Sequence, residues 1–430
     1  MEAGIICFLV SFALLMMGVP IAYGLGAVSV LTGLIYFGPG ALDLVGRTTF
    51  YFLFREALIP LTLFFFMASI LAETSIGADV YEAARKWVGR VPGGLVAASI
   101  FGEAAMAAVM GHSGGCIISV GKIAEPEFRR YGYDRSFALG ALCTGGVLGP
   151  LIPPSITMLI LPLLYDVSLA RLFIGGIVPG ILLAIILAFV AIFLSVRNPR
   201  LGPPSERFSW KEKLLALRRV WSVLLLMVCL LGSIYLGLAT PTEAAGIGCF
   251  LSLLLAVLFY GFRFEQFKKA IMEAARINGF VLFVVVSAAY FTYLVASSGL
   301  GRAIADFVVH MGLTRMKFVI ILNIIYLIMG CFMDNIAILL LTVPMFASTI
   351  KALEIDPIWF GIVVLVNVQI GLITPPFGLD LYLVSKTFNI STRDLLRGVL
   401  PFLIACIFFL AVLILLPDIA TWLPRRMSGR

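Results

Sequence analysis

The sequence predicts an all-α polytopic membrane protein: two inverted repeats, each with a re-entrant hairpin and a broken helix. Three observations predict this. The 430-residue chain is 61% hydrophobic and only 13% charged, with a mean hydropathy of +1.10, which is not the composition of a soluble domain. Apolar stretches recur from end to end, and several reach the roughly 20 residues that span a hydrocarbon core. Finally, one pattern occurs twice. Residues 149–154 read GPLIPP and residues 371–376 read GLITPP. At that same separation along the chain, Asp134 falls on Asp356, Pro153 on Pro375, Pro154 on Pro376, Arg171 on Arg393, Gly176 on Gly398 and Pro179 on Pro401. Pro20 matches Pro241 at almost the same offset. Agreement at so many sparse, helix-unfriendly positions indicates a duplicated half.

The first half, 1–196, reads as follows. Stretch 4–37 is too long for one span and is interrupted at Gly18-Val-Pro20, so two short helices are expected. It lacks a basic leader and a small-residue cleavage site, so it reads as retained. Stretch 50–72 is one span. Stretch 93–121 contains GHSGG at 111–115. Three glycines in five residues do not continue a helix. Broken backbone in lipid survives only where protein or a water-filled cavity satisfies it, so a hairpin tip near the bilayer midplane is expected. Stretch 137–165 is broken at Pro153-Pro154, because each proline removes a donor and clashes with the preceding turn. Stretch 172–196 is the final span.

A polar linker, 197–219, leads into the second half, 220–430. Short helices at 220–238 and 242–262 precede a span at 278–298. A second hairpin at 318–350 has its tip at Gly330-Cys-Phe-Met-Asp334-Asn335, followed by Pro344 as Pro126 follows the first tip. Stretch 358–385 is broken at Pro375-Pro376, and 399–417 closes the half.

Each half then makes five crossings, so the second is inverted relative to the first. With the N-terminus outside, segments 73–92, 122–136, 197–219, 262–277 and 386–397 lie inside. They hold 21 of the 31 Lys and Arg residues, as the positive-inside rule requires. The basic tail, Arg425, Arg426 and Arg430, opposes this orientation. The net charge of +8 has its cause in these loops and needs no nucleic acid. The seven cysteines all sit in apolar segments without metal-ligand spacing, and imply neither a disulfide framework nor a metal centre. The midplane polar residues form no Ser/His/Asp or His/Asp/Glu constellation, so an enzyme is not expected. No cofactor is expected either.

Duplicated halves with broken helices at corresponding places point to a transporter's binding site. A hard cation such as sodium wants several oxygens. Unwound carbonyls near Gly111, Gly149, Gly330 and Gly371, with Ser113, Thr144, Thr374 and Asp334, are the candidate ligands, one cation per tip. Half-helix N-termini beyond the tips suit an anionic substrate. Its candidate contacts are His112, Gly114, Pro153, Pro154, Ser155, Asn335, Pro375, Pro376 and Gly378. Plainer readings stand beside these. Proline pairs also kink helices, glycine clusters serve close packing, and Asp334 also reads as an acceptor for a freed N–H. His112 reads as structural or pore-lining as readily as functional.

At this point the residues resemble a known family. Segment 109–126, VMGHSGGCIISVGKIAEP, is similar to the tip of the large membrane subunit of tripartite ATP-independent periplasmic (TRAP) transporters. The resemblance continues through Arg130-Tyr-Gly-Tyr-Asp134, Ile152-Pro-Pro-Ser155 and Phe173…Gly176…Pro179-Gly180. In the second half it covers Asp356-Pro357, Phe360-Gly361, Asn367, Gly371 to Pro376, and Gly378. It implies an elevator transporter of the bacterial inner membrane, with a scaffold domain and a mobile transport domain that holds both hairpins. It further implies sodium as the coupling ion, a small organic acid as substrate, a periplasmic substrate-binding protein, a small membrane subunit as a separate chain, and membrane lipid around this chain itself. This chain departs from the family at Met110-Gly111-His112-Ser113, where serine-glycine-serine-serine is usual, and at Gln369 and Asp380. The alternative is another inverted-repeat elevator without a binding protein, in which His112 or Asp334 could couple transport to protons.

Overall fold

The computed structural model describes residues 1–56 and 58–427; Arg430 of the basic tail lies outside the described residues. The chain opens with α1 (Glu2–Met16) and α2 (Ile21–Phe37), separated at Gly18-Val-Pro20 as the proline requires. Next come α3 (Gly40–Leu53), α4 (Leu58–Ala72) and α5 (Ile76–Val88). Helices α6 (Gly94–Met110) and α7 (Ser113–Arg130) form the first hairpin. Helix α8 (Arg135–Gly145) runs through a 3-10 turn at Gly146–Leu148 to a break, then α9 (Ile156–Leu164), then α10 (Leu169–Arg197).

The second half repeats this order. It has α11 (Trp210–Tyr235), α12 (Pro241–Tyr260), α13 (Phe264–Ser297) and α14 (Leu300–His310). The second hairpin is α15 (Arg315–Gly330) and α16 (Asn335–Ala352); α17 (Pro357–Leu372) and α18 (Leu379–Thr387) flank the second break. Helices α19 (Thr392–Leu415) and α20 (Asp418–Arg425) end the chain. Six described helices are long and apolar enough to cross a membrane, and seven if the bent pair α3–α4 counts as one span. The other apolar helices are short, as half-spans and hairpin arms are.

Local signals explain the matched positions. Asp134 and Asp356, counterparts in the duplication, are both N-caps. Asp134 accepts from Phe137 N at 2.8 Å, and Asp356 from Ile358 N and Trp359 N at 2.9 and 3.0 Å. Each starts the helix that leads into a break, satisfying N–H groups that would otherwise be orphaned. Packing then exchanges partners between the halves. Helix α2 lies on α13 while its counterpart α12 lies on α4; α8 lies on α19, while α17 lies on both α10 and α19. A pseudo-two-fold relation produces this exchange. The result is two bodies: α1–α4 with α11–α13, and the hairpins with the broken helices, α10 and α19.

The five basic segments meet on one face. Trp87 Nε1 donates to Lys213 O at 3.2 Å, Ser205 N to Gly89 O, and Asp134 N to Leu201 O. Arg85 pairs with Glu127 at 3.2 Å, Gln266 Nε2 donates to Glu73 O at 2.8 Å, and Arg135 donates to the carbonyls of Phe388 and Asn389. Helix α20 packs on α10 and α17, with Ala420 O against Gly175. That places Arg425 and Arg426 near the start of α17, the end of that helix remote from its break.

Three boundaries differ from the sequence expectation. Stretch 50–72 is not one helix: α3 and α4 meet at 60°. The stretch carries a charged pair, and Arg55 leaves the helix line to donate to Leu163 O at 3.3 Å and to cover the rings of Tyr51 and Phe52. Segment 262–277 is not a loop. It begins α13, because Ala270 and Ala274 bury one face, and the helix runs on through Asn278-Gly279 to Ser297. Segment 73–92 contains the amphipathic α5, with Asp79 in its first turn and Arg85 and Lys86 in its last.

Candidate functional site

The two tips are built alike. His112 is the N-cap of α7 and accepts from Gly115 N through Nδ1 at 3.0 Å. Asp334, its counterpart in the second half, is the N-cap of α16 and accepts from Ala337 N at 2.9 Å. Both residues therefore do the structural work of starting a re-entrant helix. Pro126 and Pro344 lie inside those helices.

Each tip touches the break of its own half. Ile156 N donates to Gly111 O at 3.1 Å, and Gly378 N donates to Cys331 O at 3.0 Å. Glycine makes this approach possible. A Cβ on Gly149 would lie 2.6 Å from His112 C and 2.8 Å from Ser113 N. A Cβ on Gly371 would lie 2.5 Å from Gly330 Cα. Gly111 is also at φ +66°, with Pro154 O against its hydrogen side, a conformation that favours glycine. The breaks leave carbonyls without backbone donors, although Cys331 Sγ donates to Pro375 O at 3.4 Å. Among the described residues, no backbone N–H donates to the carbonyls of Gly149 through Pro154, or to those of Leu372 through Pro376. Thr374 donates its hydroxyl to Ile370 O at 2.6 Å and Thr144 to Gly140 O at 2.9 Å, so each keeps oxygen lone pairs for another partner. Thr374 sits in its break. Thr144 sits on α8, within its last turn, and is fully buried. The Pro153-Pro154 and Pro375-Pro376 bonds are both cis.

A cavity of about 510 Å³ lies between the two bodies. One wall is α4 and α13, with Phe65, Ser69, Glu73, Glu273, Ile277 and Phe280; the other is both tips and the helix starts after both breaks, with His112, Ser113, Ile156, Asp334, Asn335 and Asp380. Of the predicted substrate contacts, His112 and Asn335 line it. Gly114, Pro153, Pro154, Ser155, Pro375, Pro376 and Gly378 do not. Gly114 faces Leu383. Pro153 and Pro154 pack on Met67, Leu71 and α11, Ser155 caps α9 by accepting from Met158 N, and Pro375 and Pro376 are exposed on another side. Of the predicted cation ligands, Ser113 and Asp334 reach the cavity. Gly111, Gly149, Gly330 and Gly371 lie at the tip–break contacts behind it.

Two features escaped the sequence reading. Ser113 Oγ donates to Asp380 Oδ1 at 3.1 Å across 267 residues, tying the first tip to the second broken helix. Glu103, on α6, is fully buried, and neither carboxylate oxygen has a hydrogen-bond partner among the described residues. Its Oε2 lies directly over Gly145, where an added Cβ would overlap it. A lone acid in the apolar run 94–110 was the available signal, since such a residue is costly in a membrane.

The model of the family described as tripartite ATP-independent periplasmic transporter, DctM component, matches residues 8–419. The chain belongs to this family. As a DctM-component protein it is a multi-pass membrane component of a transporter. It is 34% identical over 392 residues to a C4-dicarboxylate TRAP transporter large permease of Pseudomonas aeruginosa, covering 91% of each chain. It is 29% identical to an ectoine/5-hydroxyectoine TRAP transporter large permease of Ruegeria pomeroyi, covering 97% of each. The crystal structure of the YdaH transporter of Alcanivorax borkumensis superposes with a TM-score of 0.62 at 16% identity, over 96% of this chain and 97% of that one. That likeness shows the fold alone.

Proposed function

We propose that this DctM-family chain is the permease subunit of a sodium-driven, binding-protein-dependent importer of a small organic acid in the bacterial inner membrane, and that it works as an elevator. One observation carries the reading. The cavity is shared between a body of long helices and a second body that holds both tips and both breaks. Sliding the second body against the first would expose the same cavity on either side. The cavity reaches Glu73 and Glu273, on segments 73–92 and 262–277 of the basic face, which on this reading, with the basic face inside, makes the state inward-facing. The free carbonyls at the breaks support two cation sites, one per half. The relatives named for C4-dicarboxylate and for ectoine keep both dianions and zwitterions within the substrate class.

The tripartite, periplasmic description of the family supports delivery by a periplasmic binding protein, and a separate small membrane subunit would widen the body that stays fixed. Reconstituting the chain alone, then with the small subunit, then with the binding protein, tests this. Uptake is expected only with all three. Full uptake by the chain alone would leave an ordinary secondary transporter. Orientation has its own test: Arg207→Cys in a cysteine-free background should resist an impermeant thiol reagent in intact cells. Rapid labelling there would reverse the topology.

A further inference from the structure

We propose that the substrate of this cavity carries a positively charged group beside its carboxylate, and that Asp380 receives that group. The inference rests on the permease reading and narrows its substrate class.

The charge of the cavity motivates it. Its lining includes Glu73, Glu273, Asp334 and Asp380, and no Lys or Arg among the described residues. His112 does not compensate. Its Nδ1 accepts from Gly115 N, which places any single ring proton on Nε2 and leaves the ring neutral. A substrate bearing only carboxylates would thus enter a site whose described residues offer it no cationic side chain.

Asp380 gives the site a specific acceptor. The residue is 5% exposed. Its Oδ1 is taken by the Ser113 hydroxyl, while its Oδ2 is buried without a hydrogen-bond partner among the described residues. A buried carboxylate oxygen left unpaired is costly. Asp380 lines the cavity, so a small turn of its carboxylate would bring Oδ2 to an ammonium or amidinium-type donor bound there, which would supply the missing partner through a charge-assisted bond. The carboxylate end of the same molecule has a separate place. The first turn of α7 opens at the cavity through Ser113, while that of α16 is already capped by the Asp334 carboxylate, and an uncharged helix N-terminus attracts anions. A zwitterion spans these two kinds of group; a dianion meets only one of them.

The test uses pairs of probes that differ by one amino group: aspartate against succinate, and 4-aminobutyrate against butyrate. Binding to the purified full chain in nanodiscs at fixed sodium is read by thermal stabilisation. The aminated member of each pair should bind at least about tenfold more tightly, and Asp380→Asn should cut that preference to below about threefold. Asp380→Glu should retain it, and it guards against a mere folding defect in the first variant. Equal or tighter binding of the unaminated members overturns the proposal. So does an unchanged preference in Asp380→Asn accompanied by weaker sodium binding, because that assigns the carboxylate to a cation site. The measurement needs neither the binding protein nor the small subunit. Its failure is therefore distinct from failure of the tripartite reading, which the three-component uptake assay decides.

Discussion

Replacing external sodium with choline, at fixed pH and membrane potential, should collapse substrate accumulation from on the order of 10³-fold to near equality across the membrane. The magnitude follows from the two proposed cation sites. One charge moving through 100 mV is worth ~2.3 kcal/mol, and a tenfold sodium gradient adds ~1.4 kcal/mol per ion. Two ions together supply roughly 7 kcal/mol, of which carrying a monoanion inward consumes ~2.3. One ion would leave only about 1–2 kcal/mol and concentrate little. A net-neutral zwitterion carries no such charge cost, so the same two ions would concentrate it further. Thr374→Ala is the local companion to this experiment. The hydroxyl sits in the second break and already donates to Ile370 O, so removing it deletes an available oxygen without orphaning a donor. The sodium concentration for half-maximal uptake should rise while the maximal rate changes less. Undiminished uptake in choline would end the sodium reading and make proton coupling the leading one.

How far the site was legible depends on which interactions are local. The tips and breaks could be read because glycine clusters and double prolines forbid a continuous helix wherever they stand. The duplication added what a single site cannot show. His112 and Asp334 look unrelated as residues, yet they occupy the same N-cap in their respective halves. Their capping role belongs to the plainer of the readings weighed for each. What could not be read was tertiary. No spacing rule connects Ser113 to Asp380, and nothing local shows that Glu103 closes over Gly145. The seven predicted substrate contacts that miss the cavity share a cause. Proximity to a break is not proximity to the cavity: Pro153 and Pro154 lie against α11, Pro375 and Pro376 are exposed, and it is the helix starts after the breaks that face the cavity. The helix boundaries at 50–72 and 262–277 failed for a different reason. Apolarity alone does not show that Arg55 turns aside to Leu163 O, and the polar start of α13 has the composition of a loop.

Alanine at Gly149 or Gly371 should abolish uptake, by at least about a hundredfold, while leaving the protein folded. Helix propensity argues the other way and sets the scale. Gly149 has helical backbone angles, φ −54° and ψ −55°, and Gly371 lies in α17, so alanine by itself would gain up to about 1 kcal/mol at such positions. The added methyl, however, meets backbone that cannot rotate away. At Gly149 it would lie 2.6–2.8 Å from the His112–Ser113 peptide, and at Gly371 it would lie 2.5 Å from Gly330 Cα. Tip and break must then separate, and the carbonyls proposed to hold the cation move with them. Each contact is confined to a hairpin end, so the surrounding helices can keep their packing. Gly398 provides the contrast. Its Cβ would overlap Ser136 O, in the middle of the α8–α19 crossing, where neither helix can withdraw without opening the body. Gly398→Ala should cost more than about 3 kcal/mol of stability and reduce the amount of folded protein. Thermal unfolding and uptake, measured on all three variants, separate the two effects. If Gly149→Ala and Gly371→Ala transport normally with unchanged sodium dependence, the tip–break contacts are packing alone, and the cations bind elsewhere.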